Sequence, residues 1–267
     1  MSERIINILA KDDELSKKIL LELEEKLEAR GFVTTRDFSN EAELSIVIGG
    51  DGSFLRSVHE NDFPEVPFVG FNTGHLGFFQ ELSIDDVDKF VENYIAGEFK
   101  QESLHLIETS VHYEGGESKL YSVNEMVVKA NKSKAVELDV FINSDYLERF
   151  FGDGLIVSTP AGSTAYNYSV RGSVVHPKLE CIQMTPLAPI NSKAFRSLQN
   201  SIIVPPNFII RFEPKKRYEG EIILLNDGEE RIFKNVTSVE INLSYKKIYR
   251  IVFSKNIYWN NLKDKFL

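Results

Sequence analysis

The sequence predicts two domains: an α/β domain built on a parallel sheet, followed by a β-rich domain. The chain has 267 residues, and beyond about 250 residues a single core tends to split. The first hundred residues alternate strand-like apolar runs with helical periodicity, whereas the runs after Ser103 are short and have a period near two. We therefore place the α/β domain at 1–100 and the β-rich domain at 101–249, and expect a tail at about 250–267 to pack back on the first.

Strand and helix alternate in the predicted first domain. Apolar runs predict strands at 5–10, 44–48 and 66–71. The first helix has an apolar residue at every fourth position, namely Leu15, Ile19, Leu23 and Leu27, and ends at Gly31. Two more helices are expected, one from Ser53 to about His59, the other with Val87, Phe90, Val91 and Tyr94 on one face and its end near Gly97. Such crossovers imply a parallel sheet whose ligands bind at the carboxyl ends of its strands.

Short runs bounded by turn residues fill the predicted second domain. The clearest of them are 138–142, 155–158, 202–204, 222–225 and 239–243. The sequence contains neither an internal repeat nor a low-complexity segment. This half is therefore expected to be mostly β.

Composition and charge exclude several classes of protein. A net charge of −9 argues against a general nucleic-acid binder, which needs a basic face. No apolar run approaches the roughly 20 residues that span a bilayer, so no membrane association is expected. The lone Cys181 fits a reducing compartment, which predicts a cytoplasmic location. The histidines lack zinc-ligand spacing, and the patterns of P-loop enzymes, Rossmann dehydrogenases and protein kinases are absent from the sequence.

The sharpest local motif is Gly49-Gly50-Asp51-Gly52, between a predicted strand and a predicted helix. Glycines let a ligand approach the backbone, and the free N–H groups of a helix start favour an anion such as a polyphosphate. A carboxylate there should either hold Mg²⁺ or accept a proton from an attacking hydroxyl. Both roles indicate phosphoryl transfer, although the tetrapeptide alone is equally compatible with a simple tight turn.

A second motif covers 152–166 and reads GDGLIVSTPAGSTAY. It combines a carboxylate between glycines, a buried-type strand and a turn of small hydroxyl residues that can bond a polar ligand. Taken alone, a hairpin with a serine-rich loop is the simpler interpretation. The pair Asn124-Glu125 is an even weaker indication of a binding site when taken alone, because such pairs at strand ends are usually solvated.

The motifs together closely resemble those of the NAD kinase family. GGDG, NTGHLGF, NE and GDGLIVSTPAGSTAY occur in the family's order and spacing, and the resemblance extends through His176-Pro177 to Asn226-Asp227-Gly228. It implies an α/β domain and a β-rich, NAD-binding domain with one active site between them. It also implies phosphorylation of the 2′-hydroxyl of the adenosine ribose of NAD by ATP with Mg²⁺ or another divalent metal, and a homodimer or homotetramer. A lipid kinase that shares only the GGDG loop and a catalytically silent NAD(P)-binding sensor are the alternatives.

The resemblance also assigns roles to individual residues. Asp51 is the expected catalytic base, with Gly52 beside it in the nucleotide contact. Asn124 and Glu125 are expected to bind the dinucleotide, because an amide can match an adenine edge and a carboxylate can accept from a ribose diol. The remaining NAD contacts are expected from Asp153, Thr164, Ala165, Tyr166, Asn167, Tyr168, Ser169 and Ala188. The metal ligands are not identified.

One departure from the family pattern concerns an arginine. The family often has arginine two residues before the aspartate of GDG, where this chain has Phe151. In an extended strand Arg149, Phe151 and Asp153 share a face, so Arg149 could replace the absent guanidinium by binding a pyrophosphate or Asp153. The alternative, that Arg149 is a solvated strand residue, is equally compatible with the sequence.

Overall fold

The computed structural model describes residues 3–74, 77–131, 134–192, 196–215, 221–254 and 257–267, without the side chain of Ile257. Its α-helices are α1 Glu14–Glu28, α2 Asp51–Glu60, α3 Val87–Ala96, α4 Tyr166–Ser169 and α5 Ile257–Phe266. Its strands are β1 Ile5–Ala10, β2 Val33–Thr35, β3 Leu44–Ile48, β4 Phe68–Phe71, β5 Lys100–Tyr113, β6 Gly116–Ser122, β7 Glu125–Ala130, β8 Val136–Ile142, β9 Asp145–Gly152, β10 Gly154–Ser158, β11 Ile182–Leu187, β12 Ile202–Val204, β13 Ile209–Pro214, β14 Ile222–Asn226, β15 Glu229–Phe233 and β16 Val236–Val252.

The chain forms two compact units, and the first comprises Met1–Ser103 with Lys247–Leu267. Its strands lie in the order β2-β1-β3-β4, all parallel, and the end of β16 adds beside β4 through a parallel pairing of Arg250 with Phe68. Strand β3 is buried along its whole length, as expected of a parallel sheet covered on both faces. The expected α/β fold with a parallel sheet is confirmed.

Helix α1 covers this sheet with the apolar stripe that the sequence predicts, except at its first turn. Ile19, Leu23 and Leu27 are fully buried, whereas Leu15 is exposed. The carboxylate of Asp13 accepts the N–H of Ser16 and caps the helix, so Leu15 belongs to the first turn, beyond the edge of the core. Leu20, which is buried, packs into the core where the sequence pattern predicted Leu15.

Two predicted boundaries in the first unit are wrong by two residues each, and the tail contains a helix that the sequence did not predict. Helix α2 begins at Asp51 instead of Ser53, because Gly50 is extended and serves as its N-cap. Strand β4 begins at Phe68 instead of residue 66. The polar tail forms helix α5, for which the alternation of polar and aromatic residues gave no clear periodicity.

The second unit, Leu104–Lys246, is built almost entirely of antiparallel strands. One sheet has the order β12-β11-β10-β7-β14-β15. In another group the strand order is β16-β13-β8-β9, with the first part of β16 beside β13. Its main core cluster consists of aliphatic and aromatic side chains and includes Phe150 and Phe212, both fully buried, and a smaller cluster contains Val127, Ile156 and Leu187. The β-rich second half predicted from the period-two runs is therefore confirmed.

Within the described ranges, no helix is both long and apolar enough to cross a membrane.

Candidate active site

The proposed catalytic carboxylate, Asp51, lies at the first position of α2. Its Oδ2 accepts the backbone N–H of Phe78 and its Oδ1 that of Phe79, both at 3.0 Å. A Cβ at Gly77 would lie 2.1 Å from Asp51 Oδ1, so only glycine leaves room for this carboxylate. The NTGHLGF motif thus holds Asp51 in place from the neighbouring loop, although His75 and Leu76 lie outside the described residues.

The GGDG loop lies where the sheet order reverses. The chain leaves β1 towards β2 on one side and returns to β3 on the other, so the carboxyl ends of β1 and β3 flank a topological switch point. Ligands of open α/β sheets bind at such points. The loop follows β3 there, beside Lys11, whose N–H donates to Ile48 O at 3.0 Å.

The glycines of this loop serve different purposes. Gly49 has a φ of +153°, and a Cβ there would lie 2.3 Å from Ser53 Oγ, so the fold itself requires glycine. Gly52 is helical and exposed, and nothing described lies within 4 Å of a Cβ built on it. Neither packing nor backbone conformation explains glycine at position 52, which favours the close approach of a ligand over the simple-turn interpretation.

Asn124 and Glu125 are held at the start of β7 by a residue about a hundred positions away. Asp227 accepts three successive backbone N–H groups, those of Val123 at 2.7 Å, Asn124 at 2.7 Å and Glu125 at 3.0 Å. It sits in the tight turn between β14 and β15 with a φ of +49°. Asn226-Asp227-Gly228 belongs to the family resemblance, but nothing in the sequence indicates this role of Asp227.

The Glu125 carboxyl group is buried and only partly satisfied. Burial and the nearby negative charge of Asp227 raise its pKa to about 8, against the opposing effect of the Tyr166 N–H, which donates to it. Glu125 Oε2, Asn124 Oδ1 and the hydroxyl of Ser158 are all buried without a hydrogen-bond partner among the described residues. Ser158 pairs directly with Glu125 across β10 and β7, so both side chains point to one face.

Such orphaned buried groups cost stability, and a bound polar ligand would satisfy them. Ser158 is therefore a candidate ligand contact that no sequence motif indicates.

The GSTAY segment folds as a 3₁₀ turn, Ala161–Thr164, followed by α4, within the long connection between the antiparallel strands β10 and β11. It packs directly on Asn124, because a Cβ at Gly162 would lie 2.0 Å from Asn124 O. Thr164 is buried, and its hydroxyl donates to Ala161 O. Tyr166 and Tyr168 are exposed, and the hydroxyl of Ser169 donates to Tyr166 O. The structure thus brings the backbone N–H of Tyr166 to the Glu125 carboxyl group.

Asn167 differs from its neighbours in this segment. It is fully buried, its amide donates to Ser163 O and Ser173 O, and its Oδ1 accepts the hydroxyl of Thr185 at 2.6 Å. A Cβ at Gly172 would lie 2.1 Å from the same Oδ1. With its amide bonded inside the protein, Asn167 fixes the shape of the loop, and its expected contact with NAD stays a prediction.

Asp153 and Ala188 lie at the other end of β10 from Glu125. Asp153 N donates to Leu187 O at 3.0 Å, next to Ala188, and β10 pairs with β7 from Gly154 opposite Lys129 to Ser158 opposite Glu125. At about 3.3 Å per residue, the four steps from Gly154 to Ser158 span about 13 Å. The structure therefore places these expected contacts in two separate groups.

Arg149 has a partner other than the expected one. Its Nε donates to Asp139 Oδ1 at 2.9 Å across β8 and β9, and Lys215 also pairs with Asp139. These two cations hold the pKa of Asp139 below its usual value against the effect of burial. The interaction of Arg149 with Asp153 is not formed, and half of the Arg149 side chain remains exposed.

Fold and site together define a phosphotransferase with a glycine-rich aspartate loop in an α/β domain and a second, β-rich domain. Family models described as the ATP-NAD kinase N-terminal and C-terminal domains match residues 8–99 and 123–253. The chain belongs to the NAD kinase family.

Individual relatives agree with this assignment. An NAD kinase of Finegoldia magna is 46% identical over 271 residues, covering 100% of this chain and 99% of the relative. One from Streptococcus pneumoniae is 34% identical over 266 residues, covering 98% and 96%.

Two solved structures share the fold. Yeast NADH kinase complexed with NADH has a TM-score of 0.83 at 22% identity and covers 98% of this chain and 87% of its own. An Archaeoglobus fulgidus NAD kinase in complex with ATP has a TM-score of 0.77 at 23% identity and covers 97% and 98%.

Proposed function

We propose that this protein is an NAD kinase that transfers the γ-phosphoryl group of ATP to the 2′-hydroxyl of the adenosine ribose of NAD. The observation that carries the proposal is the group of unsatisfied buried atoms on Asn124 and Glu125, next to the GSTAY segment. An amide oxygen and a carboxyl oxygen at this spacing suit the amino group of adenine and the hydroxyls of ribose.

In the proposed reaction the ribose 2′-hydroxyl donates its proton to Asp51 while its oxygen bonds the γ-phosphorus. The bond from that phosphorus to the bridging oxygen breaks, and the electron pair leaves with ADP. The amides of Phe78 and Phe79 fix the Asp51 carboxylate, so it needs little reorganisation to accept the proton. Because phosphoryl transfer depends mainly on positioning and charge neutralisation, no covalent nucleophile from the protein is required.

A divalent metal fits this site as a companion of the nucleotide. Among the described residues no group of three or more His, Cys, Asp or Glu side chains is arranged to hold an ion. Mg²⁺ commonly binds through one or two carboxylates together with substrate phosphates, and Asp51 is the carboxylate that would hold it here. Its chemistry would be to offset the charge of the phosphates.

Glu125 is proposed to act mainly as a hydrogen-bond donor. With a pKa of about 8, the carboxyl group is largely protonated at pH 7 and can donate its O–H to an acceptor on the dinucleotide. This differs from the accepting role expected from the sequence, and the cause is burial beside Asp227. Asp153, Ala188 and Arg149 remain proposed contacts for the rest of NAD.

A coupled assay tests the proposal. Purified protein is incubated with NAD, ATP and Mg²⁺, and NADP is measured with an NADP-specific dehydrogenase, with reactions lacking ATP as the control. Formation of NADP dependent on ATP is expected. Binding of NAD without turnover would instead support the silent-sensor alternative, and labelling of lipid vesicles in place of NAD would support the lipid-kinase alternative.

The family resemblance also supports a homodimer or homotetramer in the cytoplasm, and the buried, unpaired Cys181 suits a reducing compartment. Light scattering after size exclusion measures the oligomeric state; a monomer at micromolar concentration would contradict this part of the proposal.

A further inference from the structure

The C-terminal helix α5 brings a cation to Asp51. Lys265 Nζ lies 3.5 Å from Asp51 Oδ2 and 4.9 Å from the centroid of the Phe78 ring. Within the described part of the chain, no other Lys, Arg or His nitrogen lies within 4.0 Å of Asp51. No motif or resemblance in the sequence marked this residue.

Helix α5 is anchored firmly enough to place Lys265 reproducibly. Asn261, which is buried, donates from its amide to Gly77 O at 2.8 Å, in the same loop whose amides hold Asp51. The rings of Tyr258 and Phe266 pack against Phe78, with centroids 6.2 Å and 5.8 Å away. The loop is also fixed from β16, because Arg250 donates to Phe78 O at 2.9 Å.

Lys265 is not needed to orient the carboxylate. Both oxygens of Asp51 already accept backbone amides at 3.0 Å, and 3.5 Å is longer than a normal N–H···O bond. More than a third of the Lys265 side chain is exposed, so its ammonium can reach a ligand at the loop. This arrangement favours a role for Lys265 in binding a ligand over a role in stabilising the fold.

An anionic donor faces a local difficulty at this loop. The whole chain carries a net charge of −9, and the carboxylate of Asp51 would repel an approaching polyphosphate. In the first turn of α2 the N–H of Ser53 donates to Gly50 O at 2.9 Å, whereas those of Asp51 and Gly52 have no hydrogen-bond partner among the described residues, and Gly50 provides no side-chain cap for them. These groups attract phosphate, but they do not offset the full charge of Asp51.

We infer that Lys265 is a residue of the phosphoryl-donor site, whose ammonium offsets the charge of Asp51 and binds a phosphate of the donor nucleotide. The inference rests on the proposed function for the identity of that donor. Because the ammonium would bind the donor phosphates directly, Lys265 stabilises the donor at binding and offsets the charge of the same phosphates in the transition state.

The test compares Lys265→Met with Lys265→Arg and with Lys263→Met, a charge-matched control on the exposed face of the same helix. Calorimetry measures the binding of a non-hydrolysable ATP analogue and, separately, of NAD. Steady-state kinetics measure the KM for ATP and for NAD. Circular dichroism verifies that each variant is folded.

We expect Lys265→Met to weaken analogue binding and raise the KM for ATP about tenfold, typical of losing one charge-assisted contact. NAD affinity should stay within about twofold, Lys265→Arg should restore most of the loss, and Lys263→Met should match the wild type. Unchanged analogue binding in folded Lys265→Met, or equal losses for ATP and NAD, would overturn the inference. If the wild type makes no NADP but binds the analogue through Lys265, the reaction assignment fails while the donor-site inference stands.

Discussion

The unusual ionisation of Glu125 gives a stability prediction that needs no substrate. Its side chain is buried, and the pKa of about 8 compares with 4.5 for the free group. Between these two values the folded protein retains a proton that the unfolded chain has released. Stability therefore falls as pH rises through this interval, by up to about 1.4 kcal/mol per pH unit.

Replacing Glu125 with glutamine removes this dependence, because glutamine resembles the protonated acid and does not titrate. From pH 5.5 to pH 7.5 the wild type should lose about 1–3 kcal/mol of unfolding free energy relative to Glu125→Gln. The unfolding free energy of the variant should therefore rise relative to that of the wild type as pH rises. Because the glutamine amide can donate an N–H where the protonated carboxyl group donates its O–H, the variant should also keep most of its affinity for NAD.

Urea unfolding at both pH values, followed by circular dichroism without ligands, measures this difference. Glu230→Gln is the matched control, because that glutamate is exposed on β15 and its variant should follow the wild type at both pH values. The reasoning would be refuted if the difference in unfolding free energy between Glu125→Gln and the wild type were the same at pH 5.5 and pH 7.5.

Three further predictions concern the GGDG loop and the NAD contacts. Asp51→Asn should lower kcat by at least about 100-fold and leave NAD affinity within a few-fold of the wild-type value. Asparagine can accept only one of the two backbone N–H groups that Asp51 now accepts, so the urea midpoint of the variant is measured to detect any loss of stability. Near wild-type turnover would remove Asp51 from the mechanism. Gly52→Ala should slightly raise the melting temperature, since alanine favours the helix by up to about 1 kcal/mol. The same variant should lower kcat/KM for ATP at least about tenfold, because the added methyl group would obstruct a ligand at the loop. Unchanged kinetics would show that no ligand approaches position 52. Asn124→Ala should weaken NAD binding about 5- to 150-fold in calorimetry and leave binding of an ATP analogue unaltered; equal NAD affinity in both proteins would place Asn124 outside the site.

The sequence by itself determined the local structure and the chemistry of the loops. Period and run length indicate which backbone conformation a segment adopts and which face it buries, so β3 and the buried face of α1 were predictable from their own residues. The GGDG and GSTAY motifs carried the family resemblance because their residue types and order suit phosphate and dinucleotide binding.

Only the tertiary structure decided which of these groups meet and how they ionise. The high pKa of Glu125 depends on Asp227, about a hundred residues away, and on burial under the GSTAY segment. The placement of Lys265 beside Asp51 depends on where a polar, weakly periodic tail packs. The separation of Asp153 from Glu125 follows from strand register, since both ends of β10 look equally accessible in sequence. Local pattern fixes backbone angles, whereas contacts between distant segments depend on how whole elements pack, and electrostatic environment follows from those contacts.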